Sequence, residues 1–145
     1  MTSGLPVFDT TIQETNAWLA AVEHRLPPCD RQQAYAATRA ALHTLRDRLP
    51  EHGVLALSAQ LPMLLRGVYL EGWRGGPPDA PRDLQPFLDR IADRLPPAYP
   101  RDAKGVAEAV FAVIADRVDA REARKLVSLL PEELRPLWPP ILWVP

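Results

Sequence analysis

Two segments of this chain are identical and lie 69 residues apart: Arg25-Leu26-Pro27-Pro28 and Arg94-Leu95-Pro96-Pro97. The same offset relates Asp47-Arg48 to Asp116-Arg117, and no gap is needed between these landmarks. Hydrophobic positions between the landmarks also agree in kind. A fixed period of this sort indicates that one structural unit occurs twice along the chain. It predicts an architecture and leaves the chemistry open.

The spacing of apolar residues within each unit, at alternating intervals of three and four, predicts four amphipathic helices. We expect helices over about 11–25, 31–48, 51–61 and 62–72 in unit one, and over about 84–94, 103–117, 120–130 and 131–138 in unit two. Prolines fall between these segments, and no alternation typical of a β-strand occurs. The predicted fold is therefore all-α, with two tandem four-helix units packed into one compact helical domain.

The predicted bounds of the two repeat units follow from these helices and from the prolines and glycines between them. Repeat unit one covers about 8–72 and repeat unit two about 83–138, joined by a connector at 73–82 that is rich in glycine and proline. An apolar tail follows at 139–145. Capping-box spacing occurs at Thr10 with Gln13, at Asp30 with Gln33 and at Asp119 with Glu122.

The charges disfavour several classes of partner. The formal net charge is −1, and residues 1–72 carry 6 basic and 7 acidic side chains against 11 and 11 in the remainder. Neither half is a polycation, so we expect no binding to nucleic acid or to an anionic membrane. No apolar run approaches the ~18–20 residues needed to cross a bilayer.

Two features favour a cytoplasmic location. The single cysteine excludes an internal disulfide framework. The first residues also lack the basic and apolar regions of a signal peptide.

Catalytic chemistry has one candidate, Cys29, which just precedes a predicted helix start. With His24 or His43 as base it would act as the nucleophile of a small hydrolase. Asp30 adjoins the thiol and opposes its ionisation, and the counterpart of Cys29 in unit two is Ala98. A lone cysteine in a helical protein usually behaves as a small buried hydrophobe, so we expect no enzyme and keep the hydrolase as the alternative.

The histidines and arginines suggest no cofactor. His24, His43 and His52 occur without HxxxH, HExxH or CxxC spacing, so we expect no metal and interpret them as solvated or capping residues. Arg39, His43 and Arg46 share one face of the second helix, which we interpret as ordinary solvated surface because unit two lacks the row. No glycine-rich phosphate loop follows a strand, and no cofactor is expected.

An asymmetry between the units predicts an interaction surface. Unit one has apolar residues where unit two has charges: Leu55, Ala56, Met63 and Leu64 against Arg124, Lys125, Glu132 and Glu133. Such positions mark extra burial, either between the two units or against a protein partner or a second copy in a homodimer. The tail residues Ile141, Leu142 and Trp143 belong to the same prediction, because an apolar tail should dock, and the region of Met63 and Leu64 is the leading site.

Two structural ion pairs are predicted from charges present in both units. Asp47 and Asp116 end the second helix of each unit, while Arg66 and Arg135 lie one turn into the fourth. We expect Asp47 to pair with Arg66 and Asp116 with Arg135. The alternative is that the aspartates bind the neighbouring arginines or water.

Several segments together resemble a known bacterial family. They include Phe8-Asp9-Thr10-Thr11, Asp30-Arg31-Gln32-Gln33-Ala34-Tyr35 and, most specifically, Gln60-Leu61-Pro62-Met63-Leu64-Leu65-Arg66-Gly67. The chain resembles the domain-of-unknown-function family numbered 2267 from Phe8 to Trp138. The resemblance implies a small cytosolic bacterial helical protein, and it supplies no catalytic residue because the family has no established activity. The connector and the tail depart from the family's pattern.

Overall fold

The computed structural model describes residues 3–76, 79–98 and 100–143. Within these ranges the chain forms α-helices and two short 310-helices, η1 and η2, and no strand, so the prediction of an all-α fold is confirmed. The α-helices are α1 (Pro6–Arg25), α2 (Arg31–Arg48), α3 (Glu51–Gln60), α4 (Met63–Leu70), α5 (Leu84–Arg94), α6 (Ala103–Arg117) and α7 (Ala120–Ser128). The 310-helices are η1 (Glu132–Leu137) and η2 (Pro140–Leu142).

Local sequence signals explain where α1 and α2 begin. The Asp30 carboxylate accepts a hydrogen bond from the Gln33 backbone N–H, and the Gln33 side chain accepts one from Asp30 N–H, both at 2.8 Å. This predicted capping box is confirmed. The box predicted at Thr10 and Gln13 is wrong, because α1 already begins at Pro6 and runs through both residues. A proline in the first turn gives up only an N–H that would have no helical partner.

α2 and α6 pack against each other at the centre of the molecule. α2 also contacts α1, α4 and α5, while α6 also contacts α1, α5, α7 and η1. Because neighbours surround α2, its residues 40–47 are all buried, including polar ones. The hydroxyls of Thr38 and Thr44 are satisfied within the helix, where they donate to the carbonyls of Ala34 and Ala40 at 2.7 and 2.9 Å.

The described elements occur in the same order in both halves. α1 and α5 end at Arg25 and Arg94, and α2 and α6 end at Arg48 and Arg117, each pair 69 residues apart. The fourth element differs, since η1 replaces an α-helix. Pro136 lies inside η1 and has no N–H for an α-helical hydrogen bond.

The first element also differs between the halves. α5 begins at Leu84, which is the counterpart of Thr15, so α1 carries nine additional residues at its amino end. Thr15 is the first buried residue of α1. The residues of α1 before Thr15 therefore extend beyond the buried core, and residues 6–14 are called the α1 overhang below.

Candidate interaction surface

Asp47 connects the two halves of the molecule. Its Oδ2 accepts a hydrogen bond from Arg94 Nη2 at 2.7 Å, and its Oδ1 accepts one from Arg46 Nε at 3.1 Å. The Asp47 side chain is only 9% exposed, so water competes weakly for the carboxylate. Arg94 also donates to the hydroxyl of Thr44 at 2.9 Å. The carboxylate thus fastens α5 to α2.

The counterpart pair makes the reciprocal contact. Arg25 Nη2 donates to Asp116 Oδ2 at 3.1 Å and fastens α1 to α6. Arg25 and Arg94 are counterparts at the 69-residue offset, as are Asp47 and Asp116. Here the two side chains are 43% and 66% exposed, so this pair is far more accessible to solvent than the pair at Asp47.

The predicted ion pair between Asp47 and Arg66 is wrong. Arg66 instead donates to two backbone carbonyls, from Nε to Ser58 O at 2.9 Å and from Nη2 to Leu61 O at 3.0 Å. These carbonyls lie at the carboxyl end of α3, where Ser58 O also accepts from the Leu61 N–H at 3.2 Å. The guanidinium therefore stabilises the corner between α3 and α4, and Asp47 finds its partners on α2 and α5.

The predicted pair between Asp116 and Arg135 is wrong for the same reason. Arg135 donates from Nε to Leu130 O at 3.3 Å and from Nη2 to Ser128 O at 3.4 Å. It holds the corner after α7 as Arg66 holds the corner after α3, with longer contacts. Asp116 lies beside Arg25 instead.

The prediction that the basic row on α2 is ordinary solvated surface is wrong for two of its three residues. His43 and Arg46 are 5% and 6% exposed. His43 Nε2 lies 2.7 Å from Val68 O, and Arg46 Nη1 donates to Tyr69 O and Glu71 O at 3.0 and 2.9 Å. These carbonyls end α4, so the row supplies the donors and positive charge that a helix carboxyl terminus favours.

Arg39 completes the row with an ion pair to the Glu71 carboxylate at 3.0 Å. In unit two the positions of His43 and Arg46 are Ala112 and Ala115. No α-helix occupies the fourth position there, since η1 takes its place. The absence of the row from unit two therefore has a structural explanation.

The environment of His43 favours the neutral imidazole. Burial lowers the pKa of His43, and the positive charges of Arg46, Arg39 and Arg94 lower it further, while the hydrogen bond to Val68 O opposes them. A carbonyl oxygen only accepts, so Nε2 carries the proton. His43 therefore caps the carboxyl end of α4. Of the two roles predicted for the histidines, solvated or capping, His43 has the second.

Cys29 lies in surroundings that suppress the thiolate. Burial raises the pKa of the Cys29 thiol, and the negative charges of Asp30 and Glu23 raise it further. The thiol donates to the carbonyl of Asp30, with Sγ at 3.2 Å from the oxygen. An activated nucleophile requires the opposite shift.

An apolar patch lies where the α1 overhang passes the start of α4. We call it the α1–α4 patch and define it by Phe8, Ile12, Met63 and Leu64, which are 45%, 39%, 53% and 46% exposed. The Leu64 N–H donates to the hydroxyl of Thr11 at 2.8 Å, which fixes the two elements side by side. Phe8, Thr11 and Ile12 are three and four residues apart and so share one side of α1.

The overhang continues the apolar stripe of α1 past the end of the core. Phe8 and Ile12 precede the buried Thr15 at helical spacing. Sequence reasoning found Met63 and Leu64 but missed Phe8, because it started the helix too late. Pro6 at the first turn was the signal available for the true start. In unit two the counterpart of Leu64 is Glu133, whose carboxylate accepts a long hydrogen bond of 3.4 Å from the Leu84 N–H.

The other predicted surface residues lie elsewhere. Leu142 is buried and η2 packs against α7. The prediction that the tail docks at Met63 and Leu64 of its own chain is therefore wrong for this part of the tail. Ile141 and Trp143 stay 70% and 40% exposed, and Trp143 Nε1 donates to Trp138 O at 2.6 Å. Leu55 is exposed on α3. Residues 144–145 of the tail lie outside the described residues.

The described ranges 3–76, 79–98 and 100–143 lack two kinds of feature. No three His, Cys, Asp or Glu side chains there come together in a way that would hold a metal ion. No helix there combines the length and apolar character needed to cross a membrane.

The fold and these contacts define an all-helical protein whose halves are tied by interhelical charges and which exposes an apolar patch at one end. The chain belongs to the family described as uncharacterized conserved protein (DUF2267), which matches residues 15–137. The resemblance noted in the sequence is thereby confirmed. The match begins at the first buried residue of α1, so the α1 overhang lies outside it. No curated protein matches the chain.

Proposed function

We propose that this protein is a protein-interaction module without enzymatic activity, and that a second copy of the chain binds at its α1–α4 patch. The observation that carries the proposal is the α1 overhang. Its apolar stripe runs past the core and meets two exposed apolar residues of α4. Residue for residue, this arrangement has no counterpart in unit two, where Glu132 and Glu133 replace Met63 and Leu64.

The energetic argument is that the α1 overhang and the start of α4, which carry these four apolar side chains, lie side by side. Single exposed apolar residues are ordinary on protein surfaces, whereas a contiguous group marks an interface. Each of the four still presents 39–53% of its surface to water. Covering the exposed half of such a side chain is worth about 1 kcal/mol, so two patches that cover each other gain several times that amount.

A second copy is the proposed partner because every chain carries both elements of the patch, the α1 overhang and the start of α4. Two copies related by a twofold axis can each lay the overhang on the other's α4, which makes a closed, self-complementary contact. The net charge of −1 opposes this association only weakly. The stripe itself carries no charge at Phe8 or Ile12.

The test is the oligomeric state of the full chain, measured by light scattering after gel filtration at roughly 1 to 100 μM. The wild type should be dimeric at the upper end, and Phe8→Asp and Met63→Asp should each be monomeric. The matched control is Ile141→Asp, an equally apolar and more exposed residue on η2 that should leave the dimer intact. A wild type that is monomeric throughout this range, or a dimer that survives both patch variants, would refute the proposal.

We also infer that the chain is a duplication of one four-helix unit, with unit boundaries as predicted from the sequence. The reciprocal contacts support this inference: Arg25 of unit one meets Asp116 of unit two, and Arg94 of unit two meets Asp47 of unit one. The helices repeat the pattern, since α1 packs on α6 and α5 on α2. Reciprocity is typical of a twofold relation and not of a translational one.

The absence of enzymatic activity is part of the proposal. The raised pKa of Cys29 supports it, because a thiol hydrolase needs a thiolate, and the hydrogen bond between His43 and Val68 occupies one of the two candidate bases. Cys29→Ser should leave the fold and the cellular phenotype unchanged. A lost phenotype with an intact fold would favour the hydrolase. We place the protein in the bacterial cytoplasm, a compartment consistent with one unpaired cysteine.

A further inference from the structure

A cavity of about 230 Å³ lies between α3 and α7. Its apolar wall includes Gly53, Ala56 and Leu57 from α3, with Leu126 and Leu129 from the opposite side. The cavity is partly open to solvent, and apolar atoms dominate its lining, as is usual for small-molecule sites.

Small residues on α3 create the space. α3 and α7 approach closely at one end, where a Cβ on Gly53 would lie 2.8 Å from Leu129 Cδ1. Next to this contact α3 presents Ala56, whose counterpart in unit two is Lys125. The small residues Gly53 and Ala56 therefore leave part of the α3 side of the cavity unfilled.

The rim of the cavity is polar and rich in donors. Lys125, His52 and Gln60 contribute an ammonium, an imidazole and a carboxamide, against a single carboxylate, Glu122. Glu122 Oε1 lies 3.6 Å from Lys125 Nζ, which is an ion pair longer than a hydrogen bond. The Gln60 oxygen accepts from the Asp119 N–H at 3.1 Å, so its amino group is the part left to bind a ligand.

We propose that this cavity is a binding site for a small carboxylate with an apolar body. The ring or chain would fill the space between Ala56 and Leu126, and the carboxylate would replace Glu122 as the partner of the Lys125 ammonium at the rim. A cation would find only Glu122, which is already paired with Lys125, whereas a carboxylate also finds donors on His52 and Gln60. A neutral ligand would gain mainly the apolar contacts. This site is separate from the α1–α4 patch, and its occupancy does not depend on the oligomeric state.

Benzoate, benzyl alcohol and benzylamine test the proposal, because they share a ring and differ in charge. Their binding to the full chain is followed by amide chemical shifts at Gly53 and Leu129. Benzoate should saturate these shifts with a Kd in the range of roughly 0.1–5 mM, as expected for so few atoms. Benzyl alcohol should bind several-fold more weakly and benzylamine more weakly still.

Two variants locate the site. Ala56→Leu fills the cavity and should abolish binding of all three probes. Lys125→Gln should weaken benzoate to the level of benzyl alcohol, while Lys104→Gln, which changes the only other lysine of the chain, should have no effect. The proposal is overturned if no probe saturates, if the three bind equally, or if benzoate still binds Ala56→Leu. Because Lys125 is exposed, its variant remains informative if Ala56→Leu fails to fold.

Discussion

Arg94 on α5 donates a 2.7 Å hydrogen bond to Asp47 on α2, and the carboxylate that accepts it also holds Arg46. We predict that Asp47→Ala lowers the free energy of unfolding by about 3–5 kcal/mol, because it leaves the buried Arg46 guanidinium without its carboxylate. The free energies of Asp47→Ala, Arg94→Ala and the double variant, from urea unfolding, give the coupling energy between Asp47 and Arg94.

The counterpart pair provides the control for this cycle. Arg25 and Asp116 have the same chemistry at 3.1 Å but are 43% and 66% exposed. Their coupling energy should be about 0–1 kcal/mol, below that of Asp47 with Arg94. Equal coupling in the two cycles would show that burial does not strengthen the central pair.

Arg66 should stabilise the protein through its two carbonyl contacts and not through an ion pair. We predict that Arg66→Ala lowers the free energy of unfolding by about 1.5–3 kcal/mol, the usual worth of hydrogen bonds to a charged group. Arg66→Lys should recover less than half of this loss, since an ammonium lacks the fork that spans Ser58 O and Leu61 O. Arg135→Ala should cost less, because its contacts are 3.3 and 3.4 Å long. Full rescue by lysine would contradict the two-carbonyl geometry.

His43 should make stability depend on pH near neutrality. Its pKa in the folded protein lies below the ordinary value of 6.5, so the unfolded chain binds the proton more tightly. Stability is therefore fully present above about pH 6.5 and is lost as pH falls toward the pKa of the folded state. Between about pH 7.5 and about pH 5.5, the melting temperature of the wild type should fall more than that of His43→Gln.

The exposed His52 supplies the comparison for this experiment. His52→Gln is measured across the same pH range as the comparison variant, because His52 is exposed and lies outside the buried row. If the slopes of wild type and His43→Gln coincide, the imidazole of His43 does not contribute to the pH dependence.

The tail should stabilise the molecule through Leu142. This side chain is 6% exposed, and its truncation in Leu142→Ala should cost about 2 kcal/mol. The adjacent Ile141 is 70% exposed, so Ile141→Ala should change the free energy of unfolding by less than about 0.5 kcal/mol. Thermal unfolding of the two variants measures the difference. Similar losses from both would mean that the tail is not docked by Leu142.

The sequence by itself determined the helices, because the signals that begin and end them are local. The Asp30 and Gln33 side chains reach only the first turn of α2, and proline acts on its own turn, so the bounds of α2, α5 and α6 followed from residue order alone. The predicted start of α1 was wrong, because the local signal for it is Pro6 and the prediction placed the start at about residue 11. The family resemblance likewise rested on residue order.

Only the tertiary structure decided the partners of the charged side chains and the position of the exposed surface. Asp47 meets Arg94, which is 47 residues away, and His43 meets Val68, which is 25 residues away. Sequence spacing shows which residues share a helix face but not which helix covers that face. The same limit applies to Met63 and Leu64, since their apolar character predicted burial and the packing of the helices left them exposed. Which end of α1 stays uncovered depends on the lengths and angles of its neighbours, and these are fixed by the packing of the whole core.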